Sequence, residues 1–242
     1  MPTPAAPRIR PLTAWSFSRY SDYKTCPALF KYKHLMGMKE PGNEAMQRGS
    51  DIHTIAERYT KGHITRLPPE LSLFKDEFSS LKKQKHKYIE ESWTWTKNWA
   101  GETAATDWNN AWLRVKLDAA YLNPQHNVLV VIDHKTGRLN DYKKPEYREQ
   151  LELYGLSGLL KFPQVKAVSP RLWYLDAGVI YPDGAKPDEP ELEYTRADEP
   201  RLRKLWLARI EPMFKDQTGK PKPSKACDWC HFRKSNGGPC KY

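Results

Sequence analysis

Between Leu113 and Asp118 the chain alternates: Leu113, Val115 and Leu117 are apolar, while Arg114, Lys116 and Asp118 are polar. That is the period of a half-buried strand. The cluster Asn123-Pro124-Gln125-His126-Asn127 predicts a turn, and the β-branched run Val128–Ile132 predicts a central strand that ends at Thr136-Gly137. On either side the period becomes helical. Trp15 to Met38 reads as helix, with Ser16 or Ser18 as cap and Pro27 breaking or restarting it. Asn43 caps a second helix that runs through Met46, Ile52, Ile55 and Ala56 to about Tyr59 and stops at Gly62. Leu71, Leu73, Phe74, Phe78, Leu81, Tyr88 and Ile89 stand at near-helical spacing, so residues 70–100 predict one or two more helices.

After the hairpin, Glu146 to Leu160 predicts a helix and Arg171 to Val179 a strand. The loop Tyr181–Pro190 leads to a short strand at Glu191–Thr195, and a last helix covers Glu199 to Phe214. Thr218–Lys225 is rich in Gly, Pro and Lys and reads as irregular. Strands bracketed by helices make this an α/β chain. Residues 1–14 read as a Pro-rich flexible leader and residues 15–242 as a single domain.

Charge adds a partner to this picture. The 242 residues carry 40 Lys and Arg against 29 Asp and Glu, a net +11, and the excess lies at the ends. Residues 1–50 hold 8 basic and 3 acidic side chains and residues 201–242 hold 11 and 3, whereas residues 151–200 hold 5 and 9. Such an excess points to an anionic partner such as nucleic acid. No apolar run approaches the ~20 residues of a membrane span, so a soluble, cytoplasmic protein is expected, with no membrane partner. Four cysteines in 28.2 kDa are too few for a secreted disulfide scaffold.

Asp-x-Lys occurs at Asp22/Lys24, Asp133/Lys135 and Asp141/Lys143, but only Asp133 and Lys135 end an apolar strand, where alternation turns both to one face. If the turn is centred between Gln125 and His126, Asp118 stands opposite Asp133. Two carboxylates and an amine crowded on one face suit a divalent cation such as Mg²⁺ or Mn²⁺, which would activate water and stabilise charge on a phosphodiester. A solvated ion pair is the alternative. Two helical pairs flank the hairpin: Gly49-x-x-x-His53-x-x-x-Glu57 before it, and Gln150-x-x-x-Tyr154 after it. Taken singly, each also reads as helix packing.

In this order, Gly49…His53, Asp118, Asp133-His134-Lys135-Thr136-Gly137 and Gln150…Tyr154 resemble the RecB-type nucleases of the PD-(D/E)XK superfamily. The resemblance implies a restriction-endonuclease-like core, a central mixed sheet flanked by helices, and metal-dependent cleavage of DNA. By it, His53, Asp118, Asp133 and the carbonyl of His134 ligate Mg²⁺ or Mn²⁺, and Lys135 positions or activates the attacking water. Gln150 and Tyr154 support the site, and Glu57 is a weaker match. An exonuclease acting on single-stranded or end-bearing duplex DNA in phage or bacterial recombination and repair is implied, with CRISPR adaptation as a narrower variant. A catalytically silent DNA-binding module is the rival. No G-x-x-x-x-G-K-[ST] is present, so a helicase or recombinase activity would come from a partner.

Cys227-x-x-Cys230 with Cys240, and Cys26 far upstream, read as a metal or redox site before they read as disulfides. Spacing alone leaves Zn²⁺ and an iron–sulfur cluster open. The same resemblance leans to a [4Fe–4S] cluster joining the N- and C-terminal segments, as in AddB-type and CRISPR-adaptation nucleases, although Cys230 and Cys240 stand farther apart than is usual there. His231 is a weaker zinc candidate. Trp93, Trp95, Trp99, Trp108 and Trp112 would mostly pack in the core, though aromatics also stack on unpaired bases. The run Lys82, Lys83, Lys85 and Lys87 reads either as a phosphate track or as a solvated helix face.

Overall fold

A computed structural model describes residues 9–100, 110–184, 186 and 190–242, so Trp108 and most of the Pro-rich leader lie outside the described residues. The chain divides into two compact units, Asn43–Leu205 and a smaller one formed by the residues up to Gly42 with Trp206–Tyr242.

The larger unit is built on β1 (Lys87–Trp95), β2 (Leu113–Asn123), β3 (Val128–Lys135), β4 (Ala167–Tyr174), β5 (Val179–Tyr181) and β6 (Tyr194–Thr195). The path through the sheet is β1-β2-β3-β4-β5, with β6 also on β4. Among these six described strands, only β3 and β4 run parallel. A parallel pair needs a crossover, and α5 (Lys144–Lys161) supplies it. It lies close against the sheet at Gly158, where a Cβ would come within 2.9 Å of methyl groups of Leu129 and Val168. The sheet also contributes to a core with α3 (Glu44–Thr60) and α4 (Lys75–Lys83), where Ile52, Ala56 and Phe78 are buried with Ile132 and Trp173. Asn43 caps α3 as expected, its Oδ1 accepting from the Met46 amide at 2.8 Å.

The smaller unit contains α1 (Phe17–Thr25), capped by Ser16, and α2 (Pro27–Phe30). Cys26 is extended at the join, so Pro27 restarts the helix at its first position, where its missing N–H costs nothing. The part of α6 (Glu199–Lys215) that belongs here brings in Trp206, fully buried, stacked on Trp15 at 5.5 Å and edge-on to Tyr20 at 5.3 Å.

The short strand expected at Glu191–Thr195 is confined to Tyr194–Thr195, and two further expectations change. The helical reading of residues 70–100 holds for α4 and the 3₁₀ turn Pro69–Phe74, but Lys87–Trp95 is strand β1. Ile89, Trp93 and Trp95 are bulky, half-spaced residues that fit a pleated surface better than a helix already closed at Gln84. The strand expected at Arg171–Val179 starts earlier, at Ala167, and turns after Tyr174 before β5 begins. Trp93, Trp95, Trp99 and Trp112 are buried, so they pack. Lys82 and Lys87 direct their ammonium groups to backbone carbonyls of Ile64, Lys82 and Gln84, which ties part of the basic run to the fold.

Candidate active site

The β2–β3 ladder pairs Ala119 with Ile132 and Asn123 with Val128, and one further step sets Asp118 opposite Asp133. Both carboxylates are buried, and each has its own set of partners. Asp118 Oδ2 accepts from the backbone N–H of His134 at 2.6 Å, and its Oδ1 lies 3.0 Å from His53 Nδ1. Asp133 Oδ2 pairs with Lys135 Nζ at 2.6 Å, while its Oδ1 accepts from Tyr154 OH at 2.6 Å and Gln150 Nε2 at 3.0 Å. Gln150 and Tyr154, one turn apart on α5, thus hold Asp133 from the helix.

The α3 side of the site depends on a close approach. A Cβ at Gly49 would meet Thr136 Oγ1 at 3.3 Å, so the glycine lets the helix reach the turn after Lys135. Asp176 fixes that turn, accepting from Gly137 N–H at 2.6 Å and from Arg48 through both oxygens at 2.7 and 2.8 Å. Gly137 has φ +89, which favours glycine there.

The electrostatics follow from these contacts. The hydrogen bond to Asp118, and then the Glu90 carboxylate 3.9 Å away, outweigh burial and raise His53 to about 10, so the metal-free imidazole is protonated at neutral pH. Burial would raise Asp118, but the hydrogen bond and charge of His53 and the backbone amide of His134 hold it below the usual carboxylate range. Burial opposes the charge on Lys135, yet Asp133 keeps its ammonium above the ordinary lysine value. Burial, then the Asp133 charge, push Tyr154 well above 10, so its hydroxyl remains a donor.

Two site neighbours have no counterpart in the motifs. Glu90 stands across the ladder from Asp118, between the pairs Ile89–Ala119 and Glu91–Leu117. Its Oε1 is 3.9 Å from His53 Nδ1 and its Oε2 is 2.7 Å from Lys116 Nζ. The alternation Lys116-x-Asp118 was a signal for Lys116; nothing local marked Glu90. Glu57 pairs instead with Lys61 at 2.6 Å.

A family model of the PD-(D/E)XK nuclease superfamily matches residues 14–235. The chain belongs to the PD-(D/E)XK nuclease superfamily. Its mixed sheet flanked by helices fits the restriction-endonuclease-like fold, and membership makes it a nuclease with DNA as substrate. Solved structures similar to this nuclease include SSO0001, 15% identical over 97% of this chain and 90% of that one at a TM-score of 0.41. Another is a candidate exonuclease from Eubacterium rectale, 14% identical over 90% and 87% at a TM-score of 0.46. No curated protein matches the chain significantly. No helix among the described residues is long and apolar enough to cross a membrane.

PD-(D/E)XK nucleases use divalent metals, and the donor set here accommodates one. Among the described residues, His53, Asp118 and His134 form a group whose ligand atoms all lie within 4.8 Å of one another. His134 enters it through its ring, whereas the resemblance assigns its carbonyl. Both ring nitrogens are buried without a hydrogen-bond partner, and burial holds the ring below the ordinary histidine value, so it is a neutral donor. Asp133 lies outside that group, engaged by Lys135, Tyr154 and Gln150.

In the smaller unit Cys26, Cys227, Cys230 and Cys240 line one cavity, with Cys26 Sγ accepting from Lys222 N–H at 3.3 Å. Their sulfurs are not drawn into a compact cluster: no three lie within 4.8 Å of one another.

Proposed function

We propose that the protein is a divalent-metal-dependent exonuclease that hydrolyses phosphodiester bonds at DNA ends, with His53, Asp118, His134 and Asp133 around the cation and Lys135 beside it. The observation that carries this reading is the meeting of His53, Asp118 and His134 donor atoms next to the 2.6 Å Lys135–Asp133 pair. When bound, the cation supplies a Lewis acid for the phosphoryl oxygen and a more acidic water. Lys135 positions that water and offsets charge developing on the phosphate, while Tyr154 and Gln150 keep Asp133 in place. Two imidazoles with a carboxylate suit Mn²⁺ better than the oxygen-seeking Mg²⁺, so Mn²⁺ is expected to support cleavage at the lower concentration. The RecB-type motif order supports end-directed action in phage or bacterial recombination or repair, alongside a helicase or recombinase in trans. Incubation with linear and covalently closed circular DNA tests this directly. Degradation of the linear form with the circle left intact is expected; cleavage of both at equal rates would replace the exonuclease with an endonuclease.

The four-cysteine cavity is proposed to hold a [4Fe–4S] cluster. A single tetrahedral Zn²⁺ at about 2.3 Å from each thiolate needs sulfurs about 3.8 Å apart. A cluster binds each thiolate through a different iron, which suits four sulfurs that share a cavity at wider spacing. Iron and acid-labile sulfide in equal amounts after anaerobic purification are expected, and a colourless protein with one zinc would overturn the assignment.

A further inference from the structure

An open cleft of about 610 Å³ lies along the N-terminal half of α3, lined by Met46, Gly49, Ser50, His53, Lys116 and Thr136 among others. Only one of its lining residues, Lys116, is a lysine or arginine. The Lys116 side chain is 67% exposed, and strand alternation puts it on the same face of β2 as Asp118, two residues on. The cleft therefore runs from the candidate cation ligand His53 to a cation that the metal chemistry leaves unused.

What holds Lys116 there is unusual. Glu90 has φ +55 inside β1, a left-handed conformation that is strained for any residue but glycine. From that backbone its carboxylate is 14% exposed, with Oε2 at 2.7 Å from Lys116 Nζ and Oε1 at 3.9 Å from His53 Nδ1. An ammonium has three donors, and Glu90 engages one, leaving donors for the cleft. A compact point charge of this kind matches the non-bridging oxygens of a phosphate. Gly49 and Ser50 of α3 also line the cleft and add no further charge.

We infer that Lys116 is a substrate-binding residue that holds a backbone phosphate of the DNA strand lying in the α3 cleft, next to the phosphate that is cleaved. Glu90 is its positioning residue. The inference rests on the nuclease reading but assigns a role that none of its motifs contains.

The test compares Lys116→Ala, Lys116→Arg and wild type on a linear single-stranded DNA over a range of salt concentrations. Loss of one charge-assisted contact should raise KM by about tenfold at low salt, with a smaller effect on kcat. The slope of log affinity against log salt should fall in magnitude by about 0.7, the share of one phosphate on a single strand. Lys116→Arg restores most of both, and Glu90→Ala gives a smaller change in the same direction. Mn²⁺ affinity measured without DNA does not fall in Lys116→Ala, which separates lost phosphate contact from a damaged site. Wild type that degrades DNA, with Lys116→Ala matching it in KM and salt slope, overturns this inference alone. Wild type that neither binds nor degrades DNA overturns the nuclease reading and the inference with it.

Discussion

Lys135→Ala is expected to lower DNA cleavage by about 10²–10³-fold, the cost of removing one preorganised charge from a transition state. The reason is geometric. Lys135 closes β3 with its ammonium 2.6 Å from Asp133 Oδ2 and its side chain 28% exposed, so the charge sits where water screens it poorly. Asp133 keeps its bonds from Tyr154 and Gln150 in the variant but loses its counter-charge. DNA affinity should stay within about twofold, because this charge acts on the transition state more than on bound DNA. Lys135→Arg should also fail to restore full activity, since a planar fork cannot occupy the place of a compact ammonium. Steady-state cleavage with DNA binding measured in parallel checks this. A loss below tenfold, or a loss shared equally by binding, would remove Lys135 from the chemistry.

The second large effect is on pH dependence. His53 is raised from 6.5 to about 10 by Asp118 and Glu90 in the folded, metal-free protein. A raised pKa stabilises the fold fully below 6.5, and the contribution disappears as pH rises from 6.5 to 10. Its size is on the order of 5 kcal/mol before water at this half-buried site reduces it. Asp118 acts in the opposite direction: its lowered pKa gives stability that is lost only as pH falls through the acid range. Metal-free protein should therefore be most stable between about pH 5 and 6.5 and decline towards pH 10. Ligation needs an unprotonated imidazole, so binding of Mn²⁺ should release a proton, strengthen as pH rises and flatten the alkaline decline. Melting temperatures from pH 5 to 10, with chelator and with Mn²⁺, check both parts. A flat metal-free profile above pH 6.5 would contradict the His53–Asp118 bond, and Asp118→Asn should remove most of the decline, with Glu90 sustaining the remainder.

Much of this site was legible because its parts are local. Alternation at Leu113–Asp118 and the run Val128–Ile132 each marked a strand, and the turn at residues 123–127 fixed the register that sets Asp118 opposite Asp133. The i, i+4 spacing of Gln150 and Tyr154 likewise placed both side chains where they meet Asp133. β1 was not legible. Its polar stretch Glu90-Glu91-Ser92 interrupts the apolar pattern, and only Trp93 and Trp95 carry a period of two. Glu90 was hidden for a further reason, since its role depends on a cross-strand position and a left-handed backbone that sequence spacing does not encode. The His134 ring was missed because a residue between Asp133 and Lys135 alternates to the other face, where α3 and α4 supply its neighbours His53 and Phe78.

That the cation ligands beside Lys135 make this chain a metal-dependent DNA nuclease is tested most directly with metal-stripped protein and end-labelled linear DNA. Wild type and Asp118→Asn are incubated side by side, first in chelator and then with Mn²⁺ added back. The expected result is no cleavage in chelator, degradation by wild type once Mn²⁺ is present, and none by Asp118→Asn. Cleavage by wild type in chelator, or equal cleavage by both proteins, would contradict it.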